Sequence, residues 1–286
     1  MKLFQRYVLV ALIGSLLVAW HPLASTLKLA VENEEYTNIL LILPVSLTLI
    51  CAEWKSSGPI GTPSFRFGSL VLCLAGVFAV LSRWETPRMT DDLRLSVNML
   101  ALVTWWIGSF VFFFGTSISR SVLFPLCFLY WMVPLPSFVL NEIIMYLQQG
   151  SAQAAQLLFA ALGLPVARDG LRLSIPGLTV EVAKECSSIR SSLLLLVTTM
   201  VLAQLFLRSR TRKALVIALA VPLSVAKNGL RIFTIAMLGT RVDPGFLTGK
   251  FHHQGGIVFF TISLLVIFLL LWILKHQEEQ AMERLA

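Results

Sequence analysis

Residues 181–198 read Glu-Val-Ala-Lys-Glu-Cys-Ser-Ser-Ile-Arg-Ser-Ser-Leu-Leu-Leu-Leu-Val-Thr, a polar segment that turns into an apolar one. Cys186 and Arg190 stand four positions apart, so a helix would carry them on one face, one turn from each other. The leucine run that follows has the composition of a membrane span. The stretch therefore predicts a transmembrane helix with a thiol and a guanidinium in its first turn, where lipid gives way to water.

The composition of the whole chain is that of an integral membrane protein. Of its 286 residues, 57% are hydrophobic and 13% are charged, whereas a soluble domain has roughly 45–50% apolar and about 25% charged residues. The net charge of +8 would suggest nucleic acid as a partner of a soluble chain, but here it is explained by Lys and Arg that flank membrane spans. We therefore expect membrane lipids, and no nucleic acid, as partners.

About eight apolar stretches are candidate membrane helices, because a span needs about 20 mostly apolar residues. Lipid cannot satisfy backbone polar groups, so each span should be helical. The sequence thus predicts an all-α, polytopic membrane protein, a bundle of about eight transmembrane helices. The candidate spans are residues 7–23, 37–51, 67–81, 97–115, 121–140, 191–207, 214–238 and 255–274.

Basic residues orient this bundle. Arg208, Arg210, Arg212 and Lys213 crowd one short loop, which the positive-inside rule assigns to the cytoplasm. Alternating the spans from that loop puts both termini in the cytoplasm. It also puts the start of span 191–207, the end of span 214–238 and the start of span 255–274 outside. Three polar stretches are therefore predicted to share the outer face.

The segment that precedes the cysteine is expected to lie outside the membrane. Residues 142–162 carry apolar side chains at three- and four-residue steps, which predicts an amphipathic helix in the interface or on the end of the bundle, ended by Gly163. Residues 171–175 and 178–182 alternate apolar and polar about Pro176-Gly177, which predicts a short β-hairpin.

We accordingly expect a single transmembrane domain over residues 1–286. Its predicted parts are five N-terminal spans in residues 1–140, the extracytoplasmic helix and hairpin in 141–185, and three spans in 186–276 that carry the candidate site.

Cys186 is a candidate nucleophile. A helix N-terminus and a nearby cation both favour the thiolate, which is the reactive form, although Glu185 opposes this unless it points away. The alternative is a packing cysteine, with Arg190 reaching toward lipid headgroups. Three other cysteines fall inside apolar runs without metal-ligand spacing, and we expect them to be small buried hydrophobes: Cys51, Cys73 and Cys127.

Arg231 stands near the outer end of its span, three residues after Asn228, so both side chains should project from one helix face. Ionisable residues at membrane depth are costly and commonly mark a function. A guanidinium there could bind a developing oxyanion or a substrate carboxylate. The alternative is an anchor at the membrane interface, and that interpretation fits Lys227 better.

His252 and His253 precede a glycine pair and the last apolar run. A histidine beside a thiol is its usual acid–base partner. Adjacent histidines point to different faces of a helix, and no carboxylate has ligand spacing with them, so a metal site is less favoured. We expect no metal and no cofactor. The alternative is an interfacial histidine pair.

At these residues the chain resembles the exosortase/archaeosortase family of membrane transpeptidases, over about half its length. The family often has Gly where this chain has Ser188. The doubled histidine is a further departure, in which the His-x-x-x-Gly spacing selects His252 and leaves His253 as the second candidate. The stretches that carry the resemblance are 128–136, 147–155, 163–170, Glu181, the Cys-Ser-Ser-Ile-Arg motif at 186–190, the Asn-Gly-Leu-Arg motif at 228–231, and His252 with Gly256.

The resemblance implies a multi-pass protein of the bacterial cytoplasmic (inner) membrane with its active site facing the periplasm or exterior. Its substrates would be exported proteins with a C-terminal sorting signal of the PEP-CTERM type. Such a signal consists of a short motif such as Pro-Glu-Pro, a transmembrane segment and a basic tail.

The resemblance also implies roles for the site residues. Cys186 would attack a backbone carbonyl near the motif and form a thioester. His252 would protonate the leaving amine and later activate the acceptor, and Arg231 would stabilise the thiolate or the oxyanion. Four residues would support this site: Arg190, Asn228, His253 and Glu181.

Two other classes of function remain open on the sequence. One is a small-solute transporter with Arg190 and Arg231 along its path, although transporters often show paired repeats and broken helices near the midplane. The other is a membrane protein of surface-polysaccharide assembly without covalent catalysis. The substrate, the acceptor and the choice between hydrolysis and transfer are not determined by these residues.

Overall fold

The computed structural model describes residues 14–15, 19–56, 62–84, 89–182, 189–247 and 256–283. The chain forms two compact units, Met1–Leu140 and Asn141–Ala286. Most of the described elements are helices, and the three described strands form one small sheet. The predicted all-α membrane architecture is therefore confirmed.

The described part of the first unit is built mainly from apolar helices, which range from 6 to 31 residues in length. Two 3₁₀ turns, Glu34–Tyr36 and Leu129–Met132, lie among them. The helices are α1 (Trp20–Glu32), α2 (Ile39–Ser56), α3 (Phe65–Leu81), α4 (Asp91–Ser121) and α5 (Leu123–Phe128).

Helices α3 and α4 touch through glycines. A Cβ atom on Gly68 would lie 2.4 Å from the Cα atom of Phe112, and one on Gly108 would lie 3.1 Å from the Leu72 side chain. Because glycine has no side chain, two helix backbones can approach each other in this way inside a membrane bundle. Further along α4, Gly115 has φ 78°, a positive value that glycine adopts without steric strain. The regular helix is interrupted at this residue.

The predicted span 121–140 is wrong as a continuous helix. The chain forms α5 and a 3₁₀ turn, becomes non-helical over residues 133–136, and turns helical again at Ser137. Pro134 and Pro136 explain the interruption, because proline lacks the N–H group of the helix ladder and disfavours a helical residue before it. The Tyr36 hydroxyl donates to the Leu135 carbonyl (2.9 Å), and the Ser137 N–H donates to the Asp92 carboxylate (2.7 Å).

The second unit combines helices with the sheet. Helix α6 (Ser137–Ala161) is longer at its start than the predicted helix 142–162. The remaining elements are β1 (Ala167–Asp169), β2 (Arg172–Ile175), β3 (Leu178–Glu181), α7 (Ile189–Phe206), α8 (Arg210–Arg241), a 3₁₀ turn (Pro244–Leu247) and α9 (Gly256–Glu283).

Gly163 ends α6 as predicted. It has φ 69°, its N–H bonds to the Ala160 carbonyl, and the Leu164 N–H bonds to the Phe159 carbonyl. These two bonds define a Schellman motif, the common glycine-dependent helix end.

The predicted hairpin is also confirmed. Strands β2 and β3 pair antiparallel, with Ile175 opposite Leu178, and Gly177 has φ 83°, as the third position of a type II turn requires. The sequence did not predict β1, which pairs antiparallel with β2 and places Ala167 opposite Ser174. A three-residue strand is too short to show an alternating pattern of its own.

Helices α7, α8 and α9 share an apolar core made of Leu195, Ala203, Leu207, Val216, Ile267 and Leu271. Within this core, Leu207 directly follows the last residue of α7, whereas Val216 lies in the first turns of α8 and Leu271 lies in the second half of α9. Helix α8 therefore runs antiparallel to both neighbours. We call the end with Leu207, Arg210 and Glu278 the loop end, and the end with Ile189, Arg231 and Gly256 the site end.

Five described helical stretches are long and apolar enough to cross a membrane, or six if the interrupted pair 123–132 and 137–161 counts as one span. Helix α3 is a shorter apolar helix, and most of the predicted span 7–23 lies outside the described residues. The count of about eight spans stays a prediction.

The prediction that Cys51, Cys73 and Cys127 are buried is wrong, since all three are exposed. An apolar run in a membrane protein can face lipid, so hydrophobicity alone does not imply burial there.

Candidate functional site

The structure brings two of the predicted site residues, Asn228 and Arg231, onto the buried face of α8. Arg190 lies at the start of the described part of α7, and Glu181 ends β3. Cys186, His252 and His253 lie outside the described residues, so their roles stay predictions.

Asn228 joins α8 to α6. It is 1% exposed, and its side-chain amide donates to the Ser151 hydroxyl at 3.0 Å. The next residue, Gly229, has no room for a side chain, because a Cβ atom would lie 2.5 Å from the Ala154 Cβ atom and 3.0 Å from the Ala155 nitrogen. The Asn-Gly pair therefore lets α6 and α8 meet nearly backbone to backbone, as small residues do in membrane bundles.

Lys227 joins α8 to α7. Its ammonium donates to the Ser191 hydroxyl, and the residue is only 5% exposed. One turn earlier the Ser224 hydroxyl donates to the Ser192 hydroxyl at 2.5 Å, and both serines are buried. The interpretation of Lys227 as an interfacial anchor is wrong, because its side chain is held inside the protein by α7.

Arg231 is the next residue on this face. It is 8% exposed and stands four residues after Lys227 and three after Asn228, so it follows one turn beyond both helix–helix contacts. Its neighbour Ile232 packs with Ala152 and Ala155 of α6 and with the sheet. Arg231 is thus carried by a part of α8 that is packed against α6, α7 and the sheet.

The sheet holds the chain just before the predicted nucleophile. Val182 is 1% exposed, its N–H bonds to the Leu171 carbonyl at 3.0 Å, and its carbonyl accepts the buried Gln148 amide at 2.8 Å. On the other side, Ile189 is also buried. Residues 183–188, which include Cys186, therefore follow one fixed buried residue and precede another.

The two remaining described candidates are exposed. Glu181 forms an ion pair with Arg172 across the hairpin, with the Nε and Oε2 atoms 3.3 Å apart. Arg190 is exposed next to Ser191, the partner of Lys227. Neither side chain lies in the buried contact between α6 and α8.

Sequence reasoning identified no partner for Gln148, Ser151 or Ser191, and it interpreted Lys227 as an interfacial anchor. Only the spacing of Lys227 and Arg231 was visible in the sequence, because two cations four residues apart share a helix face. Gln148, Ser151 and Ser191 act on residues far along the chain, and no local pattern indicates such partners.

Chemically, the site end supplies buried positive charge. Lys227 and Arg231 lie one turn apart in a region where the effective dielectric constant is low, so their attraction for a negative charge is stronger than it would be in water. Such preorganised cations suit a reaction in which an anion forms, such as a thiolate or a tetrahedral oxyanion.

Comparison with known proteins identifies a family for this chain. A family model described as transmembrane exosortase matches residues 29–269, which include the Asn-Gly-Leu-Arg motif of α8 and the segments that carry Cys186 and His252. No curated protein and no solved structure matches the chain.

Proposed function

Because the chain belongs to the transmembrane exosortase family, we propose that it is a cysteine peptidase or transpeptidase that cleaves C-terminal sorting signals of exported proteins. The substrates are proteins that end in a short motif of the PEP-CTERM type, a membrane span and a basic tail. The observation that carries the proposal is Arg231, a buried cation of α8 that follows one turn beyond the contact of Lys227 with Ser191 of α7.

The register between α7 and α8 supports a meeting of Arg231 with Cys186. Ser192 contacts Ser224 and Ser191 contacts Lys227, so the two helices advance in opposite directions. One turn onward from Lys227 is Arg231. One turn back from Ser191 is residue 187, next to Cys186 in the sequence.

The register between α8 and α9 supports a meeting with the histidines. At the loop end the Arg212 guanidinium donates to the Leu274 carbonyl. Arg231 lies 19 residues after Arg212 in α8. Because α9 runs antiparallel to α8, the matching position lies 19 residues before Leu274, at Gly255, which is three residues after His252. Cys186 is three residues before Ile189 and His252 is four residues before Gly256, so both candidates are close in sequence to described residues of the site end.

In the proposed reaction the Cys186 thiol gives its proton to His252, and the sulfur attacks the substrate carbonyl carbon. Arg231 stabilises the oxyanion of the tetrahedral intermediate. His252 then protonates the leaving amine as the C–N bond breaks, which leaves a thioester on Cys186. Water or an acceptor amine attacks the thioester, gives its proton to His252, and releases the product as the C–S bond breaks.

We place the site on the outer side of the bacterial inner membrane, with both termini in the cytoplasm. The support is the basic loop end, where Arg208 lies between α7 and α8, and Arg210, Arg212 and Lys213 lie in the first turn of α8. The substrate's own span can then approach within the membrane and present its scissile bond at the depth of Arg231.

The test is substrate processing in a cell that co-expresses a tagged protein with such a C-terminal signal. Cys186→Ala and Cys186→Ser should lower the processing rate by at least about 100-fold, because no other group replaces the nucleophile. Arg231→Met and His252→Ala should lower it as well. A substrate fragment bound to Cys186, detected by mass spectrometry, would identify the thioester.

Cys127→Ser is the matched control, since it changes an exposed cysteine of the first unit and should leave processing unchanged. Normal substrate maturation in Cys186→Ala, with the variant present in the membrane, would refute the proposal. That result would favour a role without covalent catalysis, in transport or in polysaccharide assembly.

A further inference from the structure

Lys227 is a buried cation that the proposed reaction does not use. A lysine in a membrane helix ordinarily extends its flexible side chain toward headgroups and water. Lys227 instead is 5% exposed and donates to Ser191 of α7. It also lies one turn before Arg231 on the same face of α8, so two like charges stand side by side.

The neighbouring contact shows that α7 and α8 can be joined without a charge. Ser224 and Ser192 make a short hydrogen bond between the same two helices, and both are buried. A buried ammonium is less favourable than a buried hydroxyl at this contact for two reasons: burial removes the hydration of the charge, and Arg231 repels it. A purely structural contact would not need that charge.

We propose that Lys227 is a positioning residue of the active site, whose charge adds to the positive potential around Arg231 while its bond to Ser191 fixes the start of α7. This inference rests on the proposed function, because the negative charge that Lys227 favours is that of the Cys186 thiolate and of the oxyanion. In a medium of low dielectric constant the field of an ammonium acts over a longer distance than in water, so Lys227 need not touch the substrate.

The experiment measures the reactivity of the Cys186 thiol directly. Cys51, Cys73 and Cys127 are replaced by Ser, so that Cys186 is the only cysteine, and its alkylation by iodoacetamide is timed at one fixed pH. Lys227→Met removes the charge and keeps the length of the side chain, whereas Lys227→Arg keeps the charge. We expect alkylation to slow roughly five- to tenfold in Lys227→Met and to stay within about threefold in Lys227→Arg, because only the thiolate reacts.

Two further variants separate electrostatics from packing. Ser224→Ala removes the uncharged contact between α7 and α8 and should leave the alkylation rate within about twofold of the parent. Lys227→Gln keeps a donor for Ser191 without the charge, and replaces Lys227→Met if the latter does not accumulate in the membrane. Slowing in Lys227→Gln or Lys227→Met but not in Ser224→Ala supports the inference.

Unchanged alkylation in the neutral variants would overturn it, as would equal slowing in Ser224→Ala. Failure of the proposed function would look different. In that case Cys186→Ala would still process substrate, whereas the alkylation rates report on the thiol whether or not processing depends on it.

Discussion

The loop end and the site end of helices α7–α9 hold their charges in opposite ways. At the loop end the Glu278 carboxylate accepts the N–H groups of Arg208 (2.9 Å) and Ser209 (3.0 Å), and it lies 3.9 Å from the Arg212 Nε atom. At the site end Lys227 donates to a serine hydroxyl, and Asn228 beside it donates to another.

The difference separates a charge that stabilises the fold from charges to which we assign a function. Ser209 is the N-cap residue of α8, so Glu278 places a negative charge at the positive end of that helix and accepts the Arg208 and Ser209 N–H groups, which precede the helix. The two hydrogen bonds that Glu278 accepts lower the energy of the folded protein. Burying the Lys227 ammonium one turn from Arg231 is unfavourable, because burial removes its hydration and the two cations repel each other, and ionisable groups kept at membrane depth commonly mark a function.

Placing a side chain in the close contact between α6 and α8 at the site end should have the largest effect on stability. Gly229→Val places a side chain where a Cβ atom would already lie 2.5 Å from the Ala154 Cβ atom. Overpacking of this kind costs about 3 kcal/mol of unfolding free energy, measured by thermal or SDS denaturation in detergent. Processing should fall with it, because Asn228 and Arg231 move away from their neighbours.

Gly76→Val is the matched control, since Gly76 lies within helix α3 and a Cβ atom there would meet nothing within 4 Å. Equal destabilisation by both substitutions would mean that helix propensity, not contact between α6 and α8, accounts for the loss.

Removing the carboxylate at the loop end should lower stability and spare the reaction. Glu278→Ala leaves the Arg208 and Ser209 N–H groups without their acceptor, which costs about 1–3 kcal/mol. The processing rate per folded molecule should stay within about twofold, because Glu278 lies at the opposite end of α9 from Gly256.

Glu279→Ala is the control for Glu278→Ala. Glu279 forms a half-exposed ion pair with Lys275, one helical turn away, so its loss lowers the unfolding free energy by at most about 0.5 kcal/mol. A processing rate that falls further than stability in Glu278→Ala would show that the loop end takes part in the reaction, and the contrast between the two ends would fail.

The hairpin should show the smallest effect. Glu181 and Arg172 form an exposed ion pair, so Glu181→Gln should lower the unfolding free energy by at most about 0.5 kcal/mol. The resemblance assigns Glu181 a supporting role, and the same variant tests that role. A fall in processing that exceeds the change in stability would place Glu181 in the site, whereas parallel small changes would assign it to the hairpin alone.

Local signals predicted most of the elements. Hydropathy located α2, α3, α4, α7, α8 and α9, and glycine and proline located the end of α6 and the β2–β3 turn. Hydropathy failed at residues 121–140, because it counts apolar side chains and ignores that Pro134 and Pro136 interrupt a helix. It also gave no information on which apolar faces meet lipid, which is why the exposed cysteines were expected to be buried.

The sequence by itself determined that this is an integral membrane protein, which motifs it carries, and that Asn228 and Arg231 share a helix face. These conclusions need only composition and helical periodicity, which are properties of residues close together in the chain. Only the tertiary structure decided that Lys227 is buried against Ser191, that Asn228 binds Ser151, and that Gln148 holds Val182 before the cysteine segment. Those pairs lie far apart in the chain. Their contacts follow from how closely α6, α7, α8 and the sheet approach, and small residues such as Gly229 set that distance.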